Sequence, residues 1–164
     1  MILGTGSLTW SDEADCVACA GRIAACDALR DAFISLEGPL GAGKTTFVRH
    51  LLRALGVGGR IKSPTYTVME PYQAGGLAIS HFDFYRFSDP REWEDAGFRD
   101  VFGQPGLKIA EWPDKVGGVL PQPDVRLRIE PVDAVAGECR QVTLEASSPA
   151  GLALLEAARA GGNR

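Results

Sequence analysis

The sequence predicts an α/β fold: a single domain with a mixed sheet, in which parallel core strands are flanked by helices and antiparallel strands lie at the edges. Short apolar runs at residues 32–38 and 107–112 are typical of buried parallel strands, and a segment with helical periodicity follows the first of them. Residues 125–131 and 139–146 instead alternate apolar and polar side chains, which is typical of strands with one buried face. No repeat or linker interrupts these patterns, so we expect residues 1–164 to form one domain.

Composition and charge limit the possible functions. The chain has 164 residues, 45% of them hydrophobic and 23% charged, which is usual for a soluble domain and unlike a disordered or fibrous chain. Its net charge is -4 at pH 7 and its Lys and Arg residues are scattered, which argues against tight, non-specific nucleic-acid binding by this chain alone. The N-terminus lacks a signal-like pattern, and no stretch approaches the roughly 18 apolar residues of a membrane span. We therefore expect a cytoplasmic location.

The first elements follow from capping and apolar patterns. Residues 7–10 are predicted to form a strand, and Ser11 is predicted to cap a helix over residues 12–31. The buried strand at residues 32–38 contains branched and aromatic side chains and ends in a glycine, so it leads into a loop.

Three of the four cysteines lie in this first predicted helix, at spacings of three and seven that place them on one face. They are Cys16, Cys19 and Cys26. A Cys-x-x-Cys pair could bind metal or act in redox chemistry, but a structural zinc needs four ligands and Cys139 is far along the chain. We therefore favour a buried, reduced, apolar face.

The remaining elements follow from the same kinds of pattern. They are a helix over residues 44–55 that Gly56 ends, strands over 66–72 and 77–85 joined by the hairpin QAGG, a polar helical stretch over 90–102, strands over 107–112, 125–131 and 139–146, a final helix over 150–160, and a frayed tail at 160–164.

The stretch GPLGAGKT, residues 38–45, matches the phosphate-loop pattern G-x-x-x-x-G-K-[ST] in full, between a buried strand and an amphipathic helix as that loop requires. Its glycines allow backbone N–H groups to turn toward phosphate oxygens, and the helix N-terminus adds partial positive charge. Lys44 would contact the β and γ phosphates, and the Thr45 hydroxyl would bind magnesium. The loop therefore predicts nucleotide and magnesium binding.

A phosphate loop needs a carboxylate from a neighbouring strand to hold the magnesium ion. Asp83 and Glu111 both end strand-like apolar runs and both qualify. Magnesium and its water molecules would offset the cost of burying Asp83, which is about 2 to 7 kcal/mol for an unpartnered polar group and larger for a charge. The alternatives are an ion pair between Asp83 and the nearby Arg86, and a simple strand-end acid at Glu111.

The loop that follows the phosphate-loop helix, residues 62–66, carries several hydroxyl groups. Many nucleotide hydrolases keep a segment here that senses the γ phosphate, so these hydroxyls could reach magnesium or the attacking water. A plain Ser-Pro turn explains the same residues equally well.

Four short motifs occur in a specific order and at specific separations: GPLGAGKTT, KSPTYT, HFDFYR and EWP. In this the chain resembles the bacterial tRNA threonylcarbamoyladenosine biosynthesis ATPases, the TsaE or YjeE family. The likeness covers residues 33–129. Each motif alone is weakly specific, whereas the ordered set is specific.

The resemblance implies an ATPase that uses ATP and Mg²⁺ in the cytoplasm and binds a two-protein threonylcarbamoyl transferase complex of the TsaB–TsaD type. It would reach tRNA only indirectly, through that complex, which modifies adenosine 37. Thr45 and Glu111 are implied as magnesium ligands, and Lys44, Asp83 and Glu111 as catalytic residues, with Asp83 positioning or activating water. The implied phosphate-binding residues are Gly41, Ala42, Gly43, Lys44, Thr45 and Thr46.

The resemblance also implies two local features and one departure. Residues 63–67 would form the nucleotide-responsive segment, and Trp112 would lie beside the metal-binding acid. Pro39 departs from the family, which commonly has an acid or amide at that position, so no role of that side chain is carried over.

Two other classes use the same phosphate loop. A small-molecule or nucleoside kinase would need an acceptor pocket and an arginine-rich lid, for which Arg86, Arg91 and Arg99 are too scattered. A GTPase would need the guanine-reading pattern N-K-x-D, which the sequence lacks, and residues 100–103 match D-x-x-G only weakly.

Overall fold

The structure is a computed structural model and describes residues 1–89, 91–95, 97–132 and 137–161. Within these ranges all strands belong to one seven-stranded sheet. The strands are β1 (Gly4–Trp10), β2 (Phe33–Glu37), β3 (Met69–Ala74), β4 (Leu77–Asp83), β5 (Leu107–Glu111), β6 (Val125–Pro131) and β7 (Arg140–Ala146). The α-helices are α1 (Glu13–Ala24), α2 (Lys44–Ala54), α3 (Arg91–Asp95), α4 (Phe98–Phe102) and α5 (Pro149–Arg159), and 3₁₀ helices cover Asp27–Asp31 and Pro113–Val119.

The sheet is mixed, with the strand order β1-β7-β6-β2-β5-β4-β3. Its centre is parallel, because β2 pairs in parallel with β5 and β6, and β5 pairs in parallel with β4. The remaining pairs, β1 with β7, β7 with β6 and β3 with β4, are antiparallel. The predicted fold class is therefore confirmed.

The two faces of the sheet are buried by different layers, because successive strand side chains point to opposite faces. On one face Ile34 and Leu36 of β2 pack in a large aliphatic core beneath α1, α2 and α5. On the other face Phe33 joins a smaller, mostly aromatic core that includes Phe82 and Trp93. This second face is covered by α3, α4 and the 3₁₀ helix Pro113–Val119.

The first predicted helix is wrong in its cap and in its length. Asp12, and not Ser11, is the N-cap, and its carboxylate accepts a hydrogen bond from Asp15 N at 3.0 Å. The helix ends at Ala24 and does not run to residue 31, because Cys26 is extended and the chain continues as the 3₁₀ helix Asp27–Asp31. This bend buries Leu29 and returns the chain to the start of β2.

The predicted apolar cysteine face is confirmed for Cys16 and Cys19, whereas Cys26 lies beyond the end of α1 and is only partly buried. Cys16 and Cys19 are buried in the aliphatic core, and Cys26 packs against it. Burial raises the pKa of the Cys16 thiol to about 12, so this thiol stays protonated at neutral pH. Metal binding and redox chemistry need the thiolate, so this environment opposes both.

The predicted β-hairpin is present, with a two-residue turn at Gly75 and Gly76 in which both residues have positive φ, 55° and 81°. Its strands are shorter than predicted. β3 begins at Met69 and not at residue 66, because residues 64–67 form a turn. β4 ends at Asp83 and not at residue 85, because the chain then turns, with Tyr85 N donating to the Asp83 carboxylate and Phe87 N to Phe84 O.

The C-terminal elements match the sequence patterns closely. The polar stretch at 90–102 forms the two short helices α3 and α4, with Gly97 at a φ of 73° before α4, and Pro90 and Ala96 lie outside the described residues. Strands β5, β6 and β7 and helix α5 occur where predicted, within one or two residues. Most of the predicted frayed tail, residues 162–164, lies outside the described residues. Among the described helices, none is both long enough and apolar enough to cross a membrane.

Helix α5 packs closely against Asp124, just before the start of β6, and Gly151 makes this approach possible. A Cβ atom at Gly151 would lie 1.8 Å from Asp124 O. We expect Gly151→Ala to lower the free energy of unfolding by about 1 to 3 kcal/mol, a typical cost of overpacking, although alanine favours helices. Denaturant titration measures this change.

Gly21→Ala in α1 is the matched control, because its added Cβ meets no atom within 4 Å. It should stabilise the protein by about 0.5 to 1 kcal/mol through helix propensity alone. If both variants shifted the unfolding midpoint in the same direction, close packing would not be what distinguishes the two sites.

Candidate functional site

The phosphate loop connects the end of β2 to the start of α2. Gly38 begins it at a φ of 146°, and a Cβ atom there would lie 2.2 Å from Ile129 O, so only glycine fits. Gly43 ends it as the N-cap of α2 at a φ of 104°, again in a glycine conformation. Because the first-turn amides of a helix have no partner within it, α2 presents N–H donors and partial positive charge at this end.

Lys44 is the first residue of α2, and its side chain folds back under the loop. Its Nζ donates to Gly38 O and, at 3.1 Å, to Pro39 O, and it lies 4.0 Å from the centre of the Trp112 ring. Burial lowers the pKa of Lys44, while the charges of Glu111 and other nearby acids oppose this shift. The ammonium group is thus held by neutral partners that a phosphate oxygen can replace.

Thr45 and Glu111 meet below the loop. The Thr45 hydroxyl lies 2.9 Å and 3.1 Å from the two carboxylate oxygens of Glu111, at the end of β5. Glu111 is 2% exposed, and its Oε2 also lies 2.7 Å from Nε2 of His81, a residue of β4 that is 1% exposed. The carboxylate is therefore fixed from two sides.

Asp83 lies beside Glu111 at the end of the neighbouring parallel strand, where the two residues are register partners. Its carboxylate accepts hydrogen bonds from Tyr85 N at 3.0 Å and from the Thr65 hydroxyl at 3.3 Å. Burial raises the pKa of Asp83 above its usual range and the charge of Glu111 adds to the rise, whereas these two hydrogen bonds oppose it. Two neighbouring buried carboxylates make this part of the site favourable for a cation.

Backbone strain is concentrated around these acids. Val68 and Trp112 are the two non-glycine residues with positive φ in the described part of the chain, at 69° and 57°. Val68 O accepts from Asp83 N at 2.9 Å, and Trp112 follows Glu111 directly. Such conformations cost about 1 to 3 kcal/mol each and occur often at functional sites.

A cavity of about 380 Å³ joins these side chains. All the residues predicted for the site line it, and Thr65 and Trp112 line it too. The predicted residues are Gly41, Ala42, Gly43, Lys44, Thr45, Thr46, Asp83 and Glu111. The fold therefore brings the residues predicted from the sequence together around one cavity.

A second cavity, of about 230 Å³, adjoins the first and is not lined by Lys44. Gly43, Thr46 and Arg140 line both cavities, and Trp10 lines the second. Arg140 Nε donates to Ala42 O at 2.7 Å, which ties β7 to the phosphate loop. Arg140 was not predicted from the sequence, because no local motif marks a residue that reaches the loop from a distant strand.

His81 was also missed, although a signal was present. It precedes Asp83 by two residues, so in a strand both point to the same face. The alternative partner of Asp83, Arg86, lies instead over the Tyr66 ring, 4.4 Å from its centre.

The other arginines considered for a kinase lid are engaged on the surface. Arg91 pairs with Asp89 at 2.8 Å, and Arg99 pairs with Glu94 at 2.8 Å. Neither lines the cavity at the phosphate loop.

Comparison with known proteins gives concordant results. The family model for the threonylcarbamoyl adenosine biosynthesis protein TsaE matches residues 10–141. This chain belongs to the TsaE family. The matched range contains all the predicted site residues, together with His81 and Arg140.

Individual TsaE relatives agree with this result. The chain is 40% identical over 124 residues to the tRNA threonylcarbamoyladenosine biosynthesis protein TsaE of Haemophilus influenzae, an alignment that covers 76% of each chain. It is 38% identical over 97 residues to the Bacillus subtilis protein of the same name, covering 59% of this chain and 60% of the relative. A crystal structure of Bacillus subtilis YdiB superimposes with a TM-score of 0.79 at 27% identity, covering 99% of both chains.

The raised pKa of Asp83 has a measurable consequence for stability. At neutral pH the ionised carboxylate disfavours the folded state, and this penalty disappears as the pH falls below the raised folded-state pKa. We therefore expect Asp83→Asn to raise the denaturation midpoint of the nucleotide-free protein at pH 7.5. The gain should shrink as the pH falls through the raised folded-state pKa and vanish below about pH 4, where the aspartate becomes protonated in both states.

Asp100→Asn is the control, because Asp100 is an exposed aspartate on α4. It should leave the midpoint nearly unchanged over the same pH range. A gain for Asp83→Asn that grew on acidification would contradict the assigned direction.

Proposed function

We propose that this chain is a magnesium-dependent ATPase that serves the synthesis of N6-threonylcarbamoyladenosine at position 37 of tRNA. The observation that carries the nucleotide chemistry is the contact between Thr45 and Glu111 directly below a complete phosphate loop. Membership of the TsaE family supports the pathway.

The donor set fits magnesium. Mg²⁺ prefers oxygen ligands, and the cavity offers a hydroxyl and two carboxylates, those of Asp83 and Glu111. The Thr45 hydroxyl donates its proton to Glu111, which leaves the lone pairs of its oxygen available to a cation. When bound, Mg²⁺ would supply positive charge that neutralises the charge developing on the transferred phosphoryl group. Thr45 and Glu111 are the residues proposed to hold it.

The protein groups then have separate roles. The loop amides and Lys44 bind phosphate oxygens, and Lys44 exchanges its carbonyl and ring contacts for contacts to phosphate. Asp83 is held by Tyr85 N and Thr65, so its carboxylate is oriented to accept a proton from a water molecule or to position it.

The second cavity is proposed to hold the nucleoside part of ATP. Lys44 is expected at the β and γ phosphates, so the α phosphate lies farther along the start of α2, near Thr46. Thr46 lines both cavities, and the second cavity offers the indole of Trp10 and the guanidinium of Arg140. An apolar ring surface with a few polar groups is a common setting for a nucleobase.

The partner is proposed to be the two-protein threonylcarbamoyl transferase complex of the TsaB–TsaD type, in the cytoplasm, with tRNA bound through that complex. The segment at 63–67 supports a nucleotide-controlled contact. Its Thr65 bonds to Asp83 inside the cavity, while its neighbour Tyr66 is 81% exposed. One short segment thus faces both the proposed nucleotide and the solvent.

Two variants test the ATPase directly. We expect Lys44→Ala to lose measurable ATP binding, because it removes the charge that contacts the phosphates. We expect Thr45→Ala to lose Mg²⁺-dependent turnover, because it removes the hydroxyl that would bind the metal ion. Calorimetry measures binding, and phosphate release from ATP, from GTP and in the presence of candidate acceptors measures turnover.

Thr45→Ser keeps the hydroxyl and should retain Mg²⁺-dependent turnover. Asp83→Asn should still bind ATP, with hydrolysis about a hundredfold slower, a typical loss for a positioned acid or base. Unchanged turnover in Lys44→Ala would reject the proposal, and transfer of phosphate to an acceptor would favour a kinase.

The partner proposal predicts nucleotide-dependent association. The chain immobilised with ATP and Mg²⁺ should retain the purified transferase pair, whereas the same chain without nucleotide, or Lys44→Ala with ATP, should retain much less. Size-exclusion chromatography with light scattering, run on the same mixtures in solution, measures the mass of the complex. Equal retention in all three samples would show that the contact does not read the nucleotide.

A further inference from the structure

His81 is a buried polar residue next to the site that the proposed mechanism does not yet use. It lies on β4, two residues before Asp83, and is 1% exposed. Its Nε2 is 2.7 Å from Glu111 Oε2. A polar ring is costly to bury at such a position, so its contact with the carboxylate demands a physical explanation.

The other ring nitrogen identifies the tautomer. Among the described residues, His81 Nδ1 is buried and has no hydrogen-bond partner. A bare lone pair is less costly there than an N–H group that finds no acceptor, and the carboxylate of Glu111 needs a donor. The proton therefore belongs on Nε2, which donates to Glu111.

The Glu111 carboxylate is consequently held at both ends. His81 donates to Oε2, while Thr45 contacts Oε1 at 2.9 Å and Oε2 at 3.1 Å. A glutamate has three side-chain torsions, and free rotation about them would carry the carboxylate away from the phosphate loop. Fixing one oxygen from the β4 side keeps the group aimed at the Thr45 hydroxyl.

We propose that His81 is a positioning residue that orients Glu111 for magnesium by donating a hydrogen bond from Nε2. The inference rests on the proposed function, because it assigns His81 to the same metal site. His81 does not line the cavity at the phosphate loop, so it would act through Glu111. Partners that orient metal-binding groups in this way typically change metal affinity or activity by about 10- to 100-fold when removed.

Two substitutions separate the donor from the bulk of the ring. His81→Leu fills the buried site without a donor, whereas the amide of His81→Gln can still donate to Glu111. We expect His81→Leu to lower the apparent Mg²⁺ affinity of the protein with a non-hydrolysable ATP analogue by about 10- to 100-fold, and His81→Gln to restore most of it. Binding of the analogue in EDTA should change by less than about twofold, because the phosphate loop is untouched.

The readouts are calorimetry with the analogue in Mg²⁺ and in EDTA, and the affinity for Mn²⁺ by electron paramagnetic resonance. His50→Gln is the matched control, because His50, the other histidine of the chain, lies on α2 away from Glu111 and pairs with Glu13 of α1. A merely structural role of His81 would weaken binding equally in Mg²⁺ and in EDTA. Equal Mg²⁺ affinities of the Leu and Gln variants would overturn the proposal.

The wild-type protein supplies a test that no folding defect can affect. Nitrogen-15 NMR should show the His81 proton on Nε2 and a bare Nδ1, and the reverse tautomer would overturn the proposal. A wild-type protein whose analogue binding ignores Mg²⁺ would refute the proposed function itself. Normal Mg²⁺ dependence that persists unchanged in His81→Leu would refute only the role of His81.

Discussion

The site depends on keeping buried charges of opposite sign together at one edge of the sheet. Lys44, Asp83 and Glu111 are each at most 5% exposed, and an isolated buried charge would be too costly to keep. The Thr45 hydroxyl and the His81 ring hold Glu111, and the loop carbonyls and the Trp112 ring hold Lys44. The arrangement therefore exists before any ligand arrives, which lowers the ordering cost of binding.

The parallel centre of the sheet is what makes this proximity possible. In a parallel sheet the carboxyl ends of adjacent strands meet at the same edge, and ligands bind beyond that edge. The register of β2 with β5 pairs Leu36 with Glu111, and the register of β5 with β4 pairs Glu111 with Asp83. The phosphate loop begins at Gly38, directly after the last residue of β2. The loop and both acids therefore lie at the same edge of the sheet.

Local signals predicted most of this arrangement, and distant contacts account for what was missed. The phosphate loop and the strand-end acids are visible because their chemistry requires fixed spacing within a few residues. The end of α1 at Ala24 and the start of β3 at Met69 were misplaced, because tertiary packing of Leu29 and the strained Val68 decides them. Arg140 could not be predicted, because its contact with Ala42 O joins residues 98 positions apart.

The alternation of β4 explains why an acid lies among aromatic rings in the stretch HFDFYR. Phe82 and Phe84 point into the aromatic core, where their ring centres lie 5.5 Å apart, and each also contacts Phe98. Asp83 lies between them in sequence and so points to the opposite face, into the cavity below the phosphate loop. The two rings fix the register of β4, because a shift of one residue would place Asp83 in the aromatic core and a phenyl ring in the polar cavity. Rigid aromatic packing on one face thus fixes the position of the carboxylate on the other, and the same strand delivers His81 to Glu111.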